Sequence, residues 1–252
     1  MKIQYCSDLH LEFPENKKHI VDNPINPEAD ILILAGDIVP FAIIDKHQDF
    51  FDYISSNFKM TFWIPGNHEY YYYNIAEKSG SLDIQIRENI ILVNNCMKEI
   101  LGVNIIFSTL WSNISETRRW LIQQSLSDFK VINCNDRLLN VDDYNLLHQK
   151  SVEFLQNTLN EKSNKKTIVV THHAPTFINY PEKYANSNIN EAFASELEKL
   201  IEDSNIDYWI YGHHHVNLAD FEIGNTKLIT NQLGYIKYNE NRGFNDKAII
   251  SI

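Results

Sequence analysis

A short apolar run that ends in a glycine and a carboxylate constrains the fold of this chain most. Residues 31–35 (I-L-I-L-A) are too few for a buried helix and show no apolar-polar alternation, which predicts a strand covered on both faces, as in a parallel sheet. Gly36 lets the backbone turn there, and Asp37 follows it. Ligands of open α/β sheets bind beyond the carboxyl ends of the strands, so this position predicts a site residue at Asp37.

Four more apolar segments lead into residues that can carry chemistry. They span residues 2–6, 60–64, 167–170 and 207–211, and they precede S-D-L-H, P-G-N-H-E, T-H-H and G-H-H-H, respectively. Because the carboxyl ends of parallel strands meet at one edge of a sheet, we expect one crevice to collect these side chains.

The composition fits a single α/β domain over residues 1–252. A chain of 252 residues lies within the size of one such domain, and a hydrophobic content of 44% is enough for a sizeable core. The net charge of -11 repels polyanions, which disfavours a nucleic acid partner.

Nothing in the sequence indicates export or a membrane span. No basic and apolar leader follows Met1, and no apolar run is long enough to cross a bilayer. Cys6, Cys96 and Cys134 are widely spaced and form no C-x-x-C pair, which is typical of reduced thiols in an intracellular protein. We therefore expect a cytoplasmic protein with no membrane partner.

Between these strands the hydrophobic spacing predicts crossover helices. Helical periodicity covers residues 41–58, 115–126, 142–159 and 189–202. Residues 99–101 and 103–109 are predicted to form a hairpin around Gly102. The four tyrosines at 70–73 are compatible with an aromatic wall of a ligand site, but ordinary packing is favoured for each of them.

The polar residues at the strand ends form a plausible ligand set for metal ions. On an extended backbone, side chains two residues apart leave the same face, as Asp8 and His10 or His213 and His215 would. Seven ligands are too many for one tetrahedral site and suit two divalent ions that share Asp37. The seven predicted ligands are Asp8, His10, Asp37, Asn67, His172, His213 and His215.

The ligand chemistry suggests the metals and the reaction. Mixed nitrogen and oxygen ligands without a thiolate suit manganese, our first choice, and also iron, zinc, cobalt or nickel. Two such ions about 3.5–4 Å apart can hold a bridging hydroxide and clamp the oxygens of a displacement at phosphorus. Hydrolysis of a phosphoester is the reaction that these features predict.

The order of the motifs also carries a family resemblance. The series D-x-H, G-D, G-N-H-E, T-H-H-A-P and G-H-x-H, from Asp8 to His215, resembles the calcineurin-like metallophosphoesterase superfamily. N-Q-L-G-Y at 231–235 and T-L-W at 109–111 resemble its small bacterial members. The resemblance implies a four-layer α/β/β/α sandwich with the metals at the strand tips.

The resemblance also implies roles for individual residues. Its first metal would be held by Asp8, His10, Asp37 and His215. Its second metal would be held by Asp37, Asn67, His172 and His213. His68 matches the family's histidine that contacts the phosphoryl group without binding metal, so His68 and Asp37 are the predicted catalytic residues.

One departure from the family pattern matters for His68. Protein Ser/Thr phosphatases carry an aspartate three residues after the G-D motif, where this chain has Pro40. Either another carboxylate, with Glu69 as the candidate, takes over its work, or His68 is tuned differently. This difference argues against a protein phosphatase. Of the neighbouring histidines, we expect His172 rather than His173 to be the ligand, and His214 to lie at the rim of the site.

The predicted function is hydrolysis of a small phosphodiester or phosphomonoester by attack of the metal-bridging hydroxide. Two alternatives stay open. A nuclease of the same superfamily would bind DNA or RNA in a salt-dependent way. A noncatalytic scaffold would keep the fold to bind partners, although such proteins usually lose metal ligands that this chain retains.

Overall fold

The computed structural model covers residues 1–252. The chain forms fourteen short strands, each of two to six residues. In chain order they are β1 (Lys2–Cys6), β2 (Ile31–Ala35), β3 (Met60–Ile64), β4 (Leu82–Arg87), β5 (Ile90–Asn94), β6 (Cys96–Ile100), β7 (Val103–Ser108), β8 (Asn133–Cys134), β9 (Arg137–Leu138), β10 (Lys166–Thr171), β11 (Tyr208–Tyr211), β12 (Phe221–Ile223), β13 (Thr226–Thr230) and β14 (Ile249–Ser251).

Six α-helices connect these strands. They are α1 (Pro14–Asp22), α2 (Gln48–Asn57), α3 (Arg119–Ser125), α4 (Asp128–Val131), α5 (Val141–Leu159) and α6 (Glu198–Glu202). The long helix α5 begins with a capping box between Asn140 and Asp143, which satisfies free amides of its first turn. The helix predicted over 41–58 is divided into a 3₁₀ segment, Phe41–His47, and α2.

Two six-stranded sheets form the body of the molecule. The first has the order β14-β1-β2-β3-β5-β4, and the second has the order β12-β13-β11-β10-β7-β6. The central four strands of each sheet run parallel, and the edge strands β14, β4, β12 and β6 run antiparallel. The hairpin predicted around Gly102 joins β6 to β7, and Gly102 has a φ of 79°.

Side-chain alternation on the buried strands builds the layers. On β2, Ile33 faces an apolar cluster between the two sheets, where it packs with Phe62 and Phe107. Its neighbour Leu32 faces an outer cluster with residues of α1 and α2. A third cluster joins the outer face of the second sheet to Leu155 of α5. The predicted four-layer α/β/β/α sandwich is therefore confirmed.

The helix predicted over residues 189–202 is wrong. The segment contains only a 3₁₀ turn, Asn190–Ala192, and the five-residue α6. Between them, Phe193 accepts a hydrogen bond from the amide of Ala174 (3.2 Å), and the amide of Ser195 donates to Ala174 (3.0 Å). Pairing with the chain that follows β10 therefore uses the backbone groups that a continuous helix would need.

None of the helices combines the length and the apolar character that a bilayer crossing requires. The three cysteines form no disulfide, as the sequence predicts.

Candidate metal centre

The segments after β1, β2, β3, β10 and β11 meet at one edge of the sandwich. Backbone bonds hold them there: the amide of Asp8 donates to Gly36 (2.9 Å), and the amide of His10 donates to Asp37 (2.9 Å). Between β10 and β11, the amide of Gly212 donates to His172 (2.9 Å). The five motifs of the sequence therefore lie in one place.

The backbone of these segments is not extended, contrary to the prediction. Five candidate site residues have φ in the left-handed region, at a cost of roughly 1–3 kcal/mol each. They are Asp8 (57°), His10 (48°), Asp37 (56°), His213 (79°) and His215 (53°). The side chains converge because the chain turns sharply at each strand end, so the surrounding packing must hold strained turns in place.

Two glycines make room for the convergence. A Cβ at Gly36 would lie 2.4 Å from Nδ1 of His172, and a Cβ at Gly66 would lie 2.2 Å from Oδ1 of Asp37. Neither neighbour can move without leaving the site. Glycine is therefore required at both positions by close approach.

One group of ligand atoms, which we call the first cluster, contains Asp8, His10, Asp37 and His215. Nε2 of His10 lies 2.9 Å from Nε2 of His215 and 3.7 Å from Oδ2 of Asp37. Nε2 of His215 lies 3.4 Å from Oδ1 of Asp8. The structure thus brings together the four residues predicted for the first metal.

The second cluster contains Asp37, His172 and His213. Nε2 of His172 lies 3.3 Å from Oδ2 of Asp37 and 3.1 Å from Nδ1 of His213. The side-chain oxygen of Asn67 is 3.3 Å from the same Nε2. The predicted second set is therefore also assembled, and Asp37 belongs to both clusters.

His173 points away from both clusters. Its Nε2 contacts the hydroxyl of Tyr144 at 3.0 Å, and its Nδ1 contacts the backbone oxygen of Thr109 at 3.2 Å. Both of its nitrogens are thus engaged elsewhere, and the preference for His172 agrees with the geometry.

The donor set of the first cluster fits a cation. Nδ1 of His10 donates to Glu12 (3.2 Å), and Nδ1 of His215 donates to Glu240 (2.7 Å). In the neutral rings both Nε2 atoms then carry lone pairs, and these face each other at 2.9 Å. Two facing lone pairs repel unless a positive charge, either a proton or a metal ion, lies between them, so the arrangement suits a cation.

The second cluster passes the same test. Nδ1 of His172 donates to the backbone oxygen of Ala35 (3.0 Å), and Nε2 of His213 donates to that of Ala192 (3.3 Å). In the neutral rings the remaining nitrogens would again present lone pairs to each other, 3.1 Å apart, so this pair also suits a proton or a metal ion between them.

The electrostatics of the site favour a positive charge on one ring of each facing pair, His215 in the first cluster and His172 in the second. Burial opposes charge on His215, but its bonds to Asp8 and Glu240 outweigh burial and raise its pKa to about 10. Burial is likewise outweighed at His172, where Asp37 raises the pKa to about 9. Burial also raises the pKa of Asp37, but neighbouring histidines, His172 foremost, lower it well below its ordinary value. A bound cation would satisfy the same carboxylates.

His68 lies beside the clusters and is held on three sides. Its Nδ1 bonds to Oε1 of Glu12 (2.8 Å), and its ring stacks on Tyr71 with centroids 4.0 Å apart. Its Nε2 lies 3.3 Å from the hydroxyl of Tyr235. Tyr71 is therefore a wall of the site, although ordinary packing was predicted for it.

The carboxylate of Glu69, the candidate for the work of the missing aspartate, forms no hydrogen bond with the ring of His68. The carboxylate of Glu69 accepts hydrogen bonds from the amides of Asp37 (2.9 Å) and Gly66 (2.6 Å) and from the indole of Trp63 (3.1 Å). Burial and the charge of Asp37 raise its pKa to about 7, while these donors favour the carboxylate. Glu69 fixes the turns that carry Asp37 and Asn67.

Sequence reasoning missed three carboxylates that support the ligands: Glu12, Glu240 and Asp128. Asp128 accepts hydrogen bonds from Nδ2 of Asn67 (3.0 Å) and from the hydroxyl of Tyr71 (2.8 Å). Only Glu12 had a signal in the sequence, because it continues the two-residue spacing of Asp8 and His10.

A cleft of about 250 Å³ opens onto the clusters and His68. Aromatic rings, including Tyr184 and Phe193, line it together with Leu126. His214 also lines the cleft, but it is buried, and its Nδ1 accepts from the amide of Val216 (3.2 Å), so it is not a rim residue. A larger open groove of about 1080 Å³ lies beside α5, and none of the predicted ligands lines it.

Comparison with known families decides the class of this protein. Residues 1–217 match the sequence model of the calcineurin-like phosphoesterases. The chain belongs to the calcineurin-like phosphoesterase family. Its enzyme class is accordingly metal-dependent phosphoric ester hydrolase, and the resemblance seen in the motifs is confirmed.

One curated protein and one solved structure are similar to this calcineurin-like phosphoesterase over nearly its whole length. The uncharacterised protein L509 of Acanthamoeba polyphaga mimivirus is 37% identical over 277 residues, covering 99% of this chain and 96% of the relative. The crystal structure of phosphopantetheinyl hydrolase from Mycobacterium tuberculosis aligns with a TM-score of 0.71 at 16% identity, covering 96% of this chain and 92% of that one. The second similarity shows a shared fold.

Proposed function

We propose that this phosphoesterase holds two divalent cations and hydrolyses a small phosphodiester or phosphomonoester. The observation that supports the proposal is the pair of clusters in which ring nitrogens of two histidines lie 2.9 or 3.1 Å from each other beside the shared Asp37. Because Asp37 belongs to both clusters, one carboxylate can bridge two ions.

Seven side chains would hold the two cations, with manganese as the first choice and iron, zinc, cobalt or nickel as alternatives. Asp8, His10, Asp37 and His215 would hold one ion, and Asp37, Asn67, His172 and His213 the other. When bound, the cations supply charge for the phosphoryl oxygens and lower the pKa of a water molecule.

The chain's own residues position the substrate and move a proton. Nε2 of His68 faces the cleft and can give a proton to the leaving oxygen. Asp128 fixes the amide of Asn67 so that its oxygen turns toward the second cluster. Tyr71 and Tyr235 provide aromatic walls for an organic group on the phosphate.

The size of the cleft supports a small substrate. A volume of about 250 Å³ lies below the usual range for drug-sized ligands, which starts near 300 Å³. The substrate panel should include a phosphopantetheine ester, because the structurally similar protein of M. tuberculosis bears the name phosphopantetheinyl hydrolase. It should also include single- and double-stranded oligonucleotides, whose cleavage would indicate a nuclease instead.

The test combines metal analysis with hydrolysis. We expect purified protein supplied with Mn²⁺ to bind two ions per chain and to cleave bis-p-nitrophenyl phosphate or p-nitrophenyl phosphate. A protein that holds two ions yet cleaves no ester of the panel would refute the proposal and favour the noncatalytic scaffold.

A further inference from the structure

We infer that Glu12 is the positioning residue for His68. It takes the role of the aspartate that protein Ser/Thr phosphatases carry where this chain has Pro40. The inference rests on the proposed function, since it concerns the proton that His68 delivers. It is carried by the contacts of Glu12, whose side chain is 13% exposed. Oε1 of Glu12 accepts from Nδ1 of His68 at 2.8 Å and from Nδ1 of His10 at 3.2 Å.

The backbone around Glu12 fixes the direction of its side chain. The residue before it, Leu11, donates its amide to Ile38 (2.9 Å), and the residue after it, Phe13, donates to His10 (3.0 Å). Glu12 therefore lies in a turn that is anchored to the loop after β2. Its carboxylate approaches His68 from β1, whereas an aspartate at position 40 would have come from β2.

One oxygen of Glu12 thus sets the tautomer of two histidines. With the proton of each ring on Nδ1, Nε2 of His10 presents its lone pair to the first cluster, and Nε2 of His68 faces the cleft and Tyr235. The other oxygen, Oε2, is buried and has no hydrogen-bond partner. The two imidazoles are therefore the groups that compensate the buried carboxylate, and this ties its position to theirs.

Glu12 supports the transfer of a proton from His68 to the leaving oxygen. A water oxygen forms a bond to phosphorus and releases one proton to solvent. As the bond between phosphorus and the leaving oxygen breaks, its electron pair goes to that oxygen, which takes the proton from Nε2 of the His68 imidazolium. The ring becomes neutral and keeps its proton on Nδ1, where it still donates a hydrogen bond to Glu12. Bulk water returns the lost proton before the next turnover. Glu12 keeps its charge throughout and acts only by holding the ring.

The leaving group provides the test. In Glu12→Ala we expect hydrolysis of a p-nitrophenyl ester, whose anion leaves without a proton, to stay within about tenfold of wild type. Hydrolysis of the matching phenyl ester should fall about 100-fold, because a positioned general acid contributes about 10²–10⁴-fold. Glu12→Gln retains an oxygen that accepts from Nδ1, so it should recover most of the loss.

Glu240→Gln is the matched control. Glu240 supports His215 in the same cluster but has no bond to His68. At saturating metal it should change hydrolysis of both esters by the same factor, whereas Glu12→Ala should separate them. Equal factors in Glu12→Ala would overturn the inference.

A second measurement does not depend on turnover. In the zinc-loaded protein, ¹⁵N spectra of the histidine rings should show His68 with its proton on Nδ1, and Glu12→Ala should shift it toward the other tautomer. An unchanged tautomer would also overturn the inference. Failure of the proposed function gives a different result, in which the wild-type protein cleaves neither ester. If wild type cleaves both esters and Glu12→Ala cleaves them at the same rates, the proposed function stands and only the inference about Glu12 fails.

Discussion

The two clusters differ in the groups that accept hydrogen bonds from their histidines on the side away from the cluster. In the first cluster the acceptors are carboxylates. Nδ1 of His10 donates to Glu12, and Nδ1 of His215 donates to Glu240. In the second cluster the acceptors are neutral backbone oxygens, those of Ala35 and Ala192. A carboxylate behind an imidazole makes it a more basic ligand than a carbonyl does.

This difference teaches that a site with one shared aspartate need not be symmetric. The first cluster also has a second carboxylate ligand, Asp8, where the second has the neutral amide of Asn67. Both features favour tighter binding in the first cluster. We therefore expect two Mn²⁺ ions to bind in a tight and a loose phase whose affinities differ by at least about tenfold.

The largest effect should come from the residue that the clusters share. Asp37→Asn removes one charge from both, so metal content should fall below two ions and hydrolysis by about 10³-fold, equivalent to several kcal/mol of lost charge stabilisation. Mass spectrometry of bound metal and the rate on bis-p-nitrophenyl phosphate measure these changes. Asp83→Asn, which removes only an exposed ion pair with Lys98, is the control and should change neither. Two tightly held ions in Asp37→Asn would show that the clusters do not depend on a bridge.

The next largest effect should fall on the tight phase alone. Glu240→Gln removes the charge behind His215 and should weaken the tight phase about 10–100-fold, the usual cost of losing a partner of a metal ligand. Calorimetric titration of metal-free protein with Mn²⁺ resolves the two phases. If the loose phase weakened instead, the assignment of the phases to the clusters would be reversed.

The elements that could be predicted are those whose signal is local. β2 is five buried residues followed by Gly36 and Asp37, and it forms as its apolar run indicates. The segment 189–202 has an equally clear helical period, yet its middle pairs with Ala174. Periodicity reports which side chains are buried, but it does not report which backbone groups a neighbouring segment will take.

The same limit explains which site residues were found. The predicted ligands are recognisable because each follows a strand. Asp128 begins the short helix α4 and Glu240 lies in a connection, and no motif marks either residue. They reach the site through tertiary folding. The positive φ of Asp8 and Asp37 could not be predicted from the sequence either. Contacts with other strand ends impose these turns, and the two residues are not the glycine or asparagine that usually marks such a turn.

A smaller effect should fall on the loose phase. Asp128→Ala leaves Nδ2 of Asn67 and the hydroxyl of Tyr71 without their acceptor, so the amide can rotate away from the second cluster. We expect the loose phase to weaken roughly tenfold, as for other partners of metal ligands. Asp128→Asn keeps an acceptor oxygen and should weaken it less. A change in the tight phase would mean that Asn67 does not serve the second cluster.

The smallest effect should come from the residue that supports a backbone partner. The Tyr144 hydroxyl donates to the oxygen of Ala192 (2.8 Å), which itself accepts from His213. Tyr144→Phe keeps the ring and removes only the hydrogen bond from the hydroxyl to Ala192, whose oxygen still accepts from His213. We therefore expect the loose phase to weaken less than about threefold. The buried hydrogen bond should instead appear in the free energy of unfolding, as a loss of about 1–3 kcal/mol. Thermal unfolding of the metal-free protein measures that loss, and calorimetry measures the affinity. If Tyr144→Phe weakened the loose phase as much as Glu240→Gln weakens the tight one, backbone and carboxylate partners would be equivalent here, and the asymmetry of the two clusters would have another cause.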